Sequence, residues 1–178
     1  MGSWYSEGMF GNGKSLWTDY KNGFGTPSSD EFWMGLDKVS QLTKTGRWEL
    51  MFKAKWSVQG TASSRYKGQW AFAVYSGFRI DDESSQYKIH FGKRKTNHYF
   101  GQNDPFSNHN GAVFRTSDRN SGSCTSGGAW WHYSHSDTCY QACFNCAYSS
   151  TRSGGHVWYD RAGWLSADVT EMLMRKIS

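Results

Sequence analysis

Residues 48–58 read Trp-Glu-Leu-Met-Phe-Lys-Ala-Lys-Trp-Ser-Val. In an extended chain Trp48, Leu50, Phe52, Ala54, Trp56 and Val58 fall on one side, with Glu49, Lys53, Lys55 and Ser57 on the other. A period of two predicts a strand that buries the first set and leaves the second in water. A weaker alternation runs from Trp70 to Ile80. A third places Tyr87, Ile89 and Phe91 on one side, with Lys88 and His90 opposite. Segments 60–64 and 81–85 are polar turn material of hairpin size. Together the three runs predict an antiparallel meander.

On the N-terminal side, Ser28-Ser29-Asp30 offers helix caps, and Trp33, Leu36, Val39 and Leu42 recur at helical spacing until Lys44-Thr45-Gly46 stops the run. On the C-terminal side, Leu165, Val169, Met172 and Leu173 suit a helix capped by Ser166. Ala167, Val169, Glu171 and Leu173 alternate less convincingly as a strand, so periodicity alone favours the helix. Between 92 and 166 regular patterning nearly disappears, yet this stretch holds Trp130, Trp131, Trp158, Trp164 and all four cysteines. Long ordered loops are uncommon and usually functional, so the working region is expected here.

The 178 residues suit one domain, and 17% aromatic with 20% charged content argues against disorder. No window approaches the roughly 18 consecutive apolar residues of a membrane span. The opening MGSWYSEGMFGNGK lacks the pattern of a secretory signal, which does not decide the compartment. A net charge of +5 invites nucleic acid, but the basic residues are scattered. Their densest run, Lys93-Arg94-Lys95, reads as a solvated face, so no nucleic-acid partner is expected.

The cysteines at 124, 139, 143 and 146 suggest two disulfides or a zinc site, since Cys143-x-x-Cys146 is half of a common zinc spacing. His132, His135, Asp137 and Cys139 could be imagined as a nucleophile with its base. Residues so close along a loop seldom face one another, however, and neither His-Glu-x-x-His nor a paired-carboxylate motif occurs. The chain reads as a non-enzyme.

Tyr20-Lys-Asn-Gly-Phe-Gly25, Glu31-Phe-Trp-Met-Gly-Leu-Asp37, Leu42-Thr43, Trp48-Glu-Leu50, Phe78 and Tyr87-Lys-Ile-His-Phe-Gly92 follow in order. After them come His109-Asn-Gly-Ala-Val-Phe114, Thr116, Asp118, Gly127-Gly-Ala-Trp-Trp131, Asn145, Tyr148, Trp158, Gly163-Trp164 and Thr170-Glu-Met172. This collinear set resembles the fibrinogen-related domain of fibrinogen chains, ficolins, tachylectins and angiopoietins. The resemblance implies an α+β fold with a central antiparallel sheet, short helices and a large loop-rich recognition region. It divides residues 1–178 into a scaffold (1–91), a recognition subdomain (92–164) and a C-terminal strand returning to the sheet (165–178), against the helix favoured by periodicity. The family's N-terminal subdomain has no counterpart before Trp4.

What else it implies concerns function. The family is extracellular and secreted, lectin-like or adhesive, with roles in innate defence. The expected partner is therefore a glycan, an acetylated ligand or an extracellular protein, and a homo-oligomer fits either reading. The alternative is a structural protein using the same fold for assembly. The family position pairs Cys124 with Cys139 and leaves Cys143 with Cys146. Carried over by position, the ligand pocket comprises Tyr133, Thr138, Cys139, Tyr140, Asn145 and Tyr148, with a cis peptide before Cys139. Tyr140 stands where the family has histidine. The family calcium loop is shortened to Asp118, Asn120 and Gly122, with a single carboxylate, so calcium is expected to bind weakly and no cofactor to be required. No Asn-x-Ser/Thr sequon is present.

Overall fold

The computed structural model describes residues 5–8, 15–28, 32–55, 68–98, 103–119, 121, 123–133, 139, 141–146, 157–160 and 163–177. Its first half contains β1 (Tyr5–Gly8), α1 (Trp17–Asn22), β2 (Phe24–Gly25), β3 (Phe32–Trp33), α2 (Leu36–Thr43), β4 (Arg47–Lys55), β5 (Trp70–Ser76), β6 (Arg79–Ile80) and β7 (Ile89–His90). The second half adds β8 (Arg94–His98), β9 (Ala142–Cys143), β10 (Val157–Asp160), β11 (Gly163–Ser166) and β12 (Val169–Ile177), with 3-10 turns at Pro105–His109 and Ser123–Gly127.

The alternation at 48–55 forms the middle of a five-stranded sheet ordered β1-β12-β4-β5-β8, and each neighbouring pair is antiparallel. Leu50, Phe52, Ala54, Ala71, Ala73, Tyr75, Met172 and Met174 form its buried face. Against that face, Phe52 meets Phe106 with ring centroids 3.9 Å apart and Phe144 edge-on at 5.1 Å, while Phe91 stacks on Phe106 at 4.6 Å. Residues 56–58 lie outside the described residues. The antiparallel sheet with short helices is the expected α+β architecture, and the C-terminal run is a strand. β12 pairs with β4 from Val169↔Lys55 to Ile177↔Arg47, which overturns the helix that periodicity favoured. A strand nine residues long, flanked by β1 and β4, satisfies its backbone through the ladder whatever its side-chain spacing suggests.

Three expectations need correction. Glu49 does not face water: it is 1% exposed, because Lys95 of β8 and Arg175 of β12 close over its carboxylate. The third strand beside β5 is not 87–91 but β8, whereas Ile89–His90 pairs with Arg79–Ile80 in a separate ribbon. Alternation reports which side is buried, and Tyr87, Ile89 and Phe91 are indeed buried. It does not report which strand is the neighbour. Finally, the helix begins at Leu36 rather than after Asp30. Phe32–Trp33 is a strand paired with Phe24–Gly25, and Leu42 is 45% exposed.

Gly35 explains that late start. Its φ of +103° places it at the helix N-cap, where a Cβ would lie 2.7 Å from the Asn22 carbonyl group. Gly23, at φ +92°, would likewise put a Cβ 2.6 Å from the Met34 carbonyl oxygen. Two glycines thus let the end of α1 and the start of α2 touch backbone to backbone, and only glycine adopts such angles cheaply.

Candidate functional site

Two disulfides staple the second half of the chain, Cys124–Cys139 and Cys143–Cys146, with Cα separations of 5.1 and 5.6 Å. Cys124 sits in the 3-10 turn Ser123–Gly127 and Cys143 on β9, whose strand order with its neighbours is β11-β10-β9. With Cys139 bonded to Cys124, the sequence-level idea of a cysteine nucleophile at that position has no thiol to work with.

Beneath this frame lies His109, wholly buried at the end of the turn Pro105–His109. Its Nδ1–H donates to the Trp131 carbonyl oxygen at 2.7 Å, and Nε2 accepts the Ala142 amide at 3.3 Å. One neutral ring thereby bridges two segments distant in sequence. It stacks on Phe106 and meets the Tyr133 ring edge-on at 5.0 Å. Burial lowers its pKa to about 3 despite the Trp131 hydrogen bond. His132, also buried, donates from Nε2 to the Gly128 carbonyl oxygen at 2.8 Å. Burial is again the main cause of its lowered pKa, about 4, and the charge of Arg115 acts in the same direction.

Above these histidines an open cleft of about 390 Å³ is lined by Lys88, Asn108, Asn110, Arg115, His132 and Tyr133. Its base is rigid. Ile89 N–H donates to Ala112 O at 3.0 Å, and Gly111 N–H to Ile89 O at 2.8 Å. Arg115 and Trp130 exchange backbone bonds of 3.0 and 3.1 Å.

Of the expected pocket residues, half-buried Tyr133 lines this cleft, and the Cys139 backbone lies beside the His132 ring. Asn145 does not join them. It is completely buried, donating from Nδ2 to the Tyr20 hydroxyl at 2.8 Å and to Ala129 O at 3.0 Å. It ties the loop-rich second half of the chain to α1. Thr138, Tyr140 and Tyr148 lie outside the described residues, as do His135, Asp137, Asn120 and Gly122. Lys88, Asn108, Asn110 and Arg115 complete the polar lining. No local pattern announces them, because they come together only through the Ile89 and Trp130 pairings.

Asp118, the single carboxylate of the expected calcium loop, is held by partners of its own. Its carboxylate accepts the Trp17 amide at 3.0 Å and the Thr116 hydroxyl at 2.7 Å, capping the start of α1 from a distant loop. Burial works against the charge, yet these bonds hold the carboxyl below its usual range. The next residue, Arg119, lies 4.1 Å over the Trp17 ring and donates to Glu83, so a cation stands beside the shortened loop. Among the described residues no group of three or more His, Cys, Asp or Glu side chains is placed to hold a metal. Asp118→Ala should cost about 1–2 kcal/mol as a lost cap, equally with and without millimolar calcium. Thermal melts of both proteins test this. A rise of many degrees on adding calcium, lost in the variant, would contradict it.

The model for the C-terminal globular domain of fibrinogen beta and gamma chains matches residues 7–177. The chain belongs to that family. It is 35% identical over 169 residues to mouse tenascin-R, covering 89% of this chain and 11% of tenascin-R. Human ficolin-3 is 32% identical over 146 residues, covering 79% of this chain and 43% of ficolin-3. The chain therefore spans only a part of these relatives. Among solved structures, the fibrinogen-like globe domain of human ANGPTL6 superposes with a TM-score of 0.78 at 29% identity, covering 98% of this chain and 78% of that one. A lamprey fibrin D-dimer, at TM-score 0.70 and 22% identity, covers 93% of this chain and 57% of that one and shares the fold.

Proposed function

We propose that this fibrinogen-like domain is a secreted, non-catalytic recognition module that holds a carbohydrate or acetylated ligand in the Tyr133 cleft. One observation carries the reading. The open cleft of about 390 Å³ lies in the size range of small-ligand sites, with an aromatic side chain, several polar side chains and a hydrogen-bonded base. The two disulfides suit an oxidising, extracellular compartment. In this reading the loops within residues 92–164 recognise the ligand, and the five-stranded sheet, to which Arg94–His98 contributes an edge strand, supports them.

A glycan array followed by calorimetric titration, with free N-acetylglucosamine as competitor, tests the proposal. Binding should be competitor-sensitive, and Tyr133→Ala should cost roughly 1–3 kcal/mol of binding, as expected for a buried aromatic contact. Lys93→Ala, at an exposed residue that does not line the cleft, should bind like the parent. Self-association that rises with concentration and ignores sugar would instead assign the surface to protein assembly.

A further inference from the structure

Lys88 and Arg115 both line the Tyr133 cleft, and no carboxylate does so among the described residues. The acidic side chains closest to Lys88 in sequence are engaged elsewhere. Asp81 bridges Arg79 at 2.6 Å and His90 at 2.7 Å, and Asp82 accepts the Ser84 hydroxyl. Glu83 accepts from Trp17, Lys21 and Arg119. Among the described residues both charges lining the cleft are therefore positive, and the Arg115 charge helps hold His132 neutral.

Its uncharged groups are hydrogen-bonding and aromatic. Asn110 accepts the Phe91 amide through Oδ1, which leaves its NH2 donors for another partner. The Asn108 side chain reaches Gln141. The Tyr133 ring is braced edge-on by His109.

We propose that the cleft takes an acidic saccharide, its carboxylate or sulfate met by Lys88 and Arg115 and its ring packed on Tyr133. This rests on the carbohydrate reading above and narrows it to charged sugars. Cations supply strong charge-assisted bonds to the anionic group, amide donors suit ring hydroxyls, and the aromatic wall covers an apolar sugar face. An extended acidic peptide would instead favour a free strand edge or a long groove.

The probes are N-acetylglucosamine, its 6-sulfate, inorganic sulfate and an aspartate-rich peptide, each titrated calorimetrically into the whole chain at low salt. The sulfated sugar should bind about tenfold tighter than the neutral one, a margin that shrinks as salt screens it. Lys88→Gln and Arg115→Gln should each erase most of that margin, and Lys93→Gln, outside the cleft lining, should keep it. If Arg115→Gln fails to fold, Lys88→Gln alone decides. Equal affinity for both sugars, with Tyr133→Ala weakening both, overturns the acidic preference and leaves the carbohydrate reading standing. Binding of neither sugar overturns both. Inorganic sulfate or the peptide matching the sulfated sugar overturns the saccharide assignment in favour of a general anion site or a protein partner.

Discussion

Lowering the pH from 7 to 5.5 should remove about 2–3 kcal/mol of stability, most of it through His109 and His132. Folded, the two rings stay neutral down to about 3 and about 4, because burial opposes their charge. Unfolded, each takes a proton near its ordinary value of 6.5. The unfolded chain therefore binds more protons throughout this window. Stability is complete above 6.5 and declines as pH falls toward the folded values. Glu49, Asp118 and Glu83, held below the usual carboxylate range, contribute stability that is lost only at more acid pH.

Urea unfolding at pH 7, 6.2 and 5.5 would measure the slope. His109→Gln should be less stable at pH 7, yet lose only about half as much on acidification as the parent, since one of the two titrations is gone. A parent whose stability is flat over this range, or a variant with the parental slope, would refute the assignment. The consequence reaches the cleft. His132 lines it, and His109 braces Tyr133, so the same protonation that unfolds the chain also loosens the proposed ligand site.

Arg175→Met should cost about 3 kcal/mol, because it strands a buried carboxylate. Glu49 is 1% exposed, and Arg175 donates to its Oε2 from Nε at 2.8 Å, with Nη2 at 2.7 Å from the same oxygen. Lys95 supplies the other contact, but half its side chain lies in water, so it cannot replace the guanidinium alone. The ion pair Lys53–Glu171, with both side chains partly exposed, should by comparison be worth under about 1 kcal/mol. Adding Glu49→Met to Arg175→Met should restore much of the loss, since the uncompensated charge is gone and the site becomes apolar. Chemical denaturation of the single and double variants decides the matter. If Arg175→Met lies within about 0.5 kcal/mol of the parent, Glu49 is already solvated and the buried-charge account fails.

How much of this was legible beforehand differs from residue to residue. Trp48, Leu50, Phe52 and Ala54 announced their buried face because a strand has a two-residue period that depends on nothing outside itself. The disulfide Cys124–Cys139 and the C-terminal strand could be anticipated only through family resemblance, since their partners lie far along the chain. Trp33 shares the helical spacing of Leu36, Val39 and Leu42, yet Phe32–Trp33 is a strand. Its apolar spacing is compatible with either element, and the deciding contact is the close approach of Gly23 and Gly35.

By itself, the sequence determined the local alternations, the aromatic supply of the core, the cysteine cluster and the loop-rich second half. These depend on residue type and spacing along a single segment. Only the tertiary structure decided that Glu49 is buried, that Asn145 is an internal tie, that Asp118 caps α1 and that His109 bridges Trp131 to Ala142. It alone brought Lys88, Arg115 and Tyr133 to one cleft. The physical reason is common to all of these. A charge or polar group is buried or exposed according to partners contributed by distant segments, and no period along the chain encodes which segments those will be.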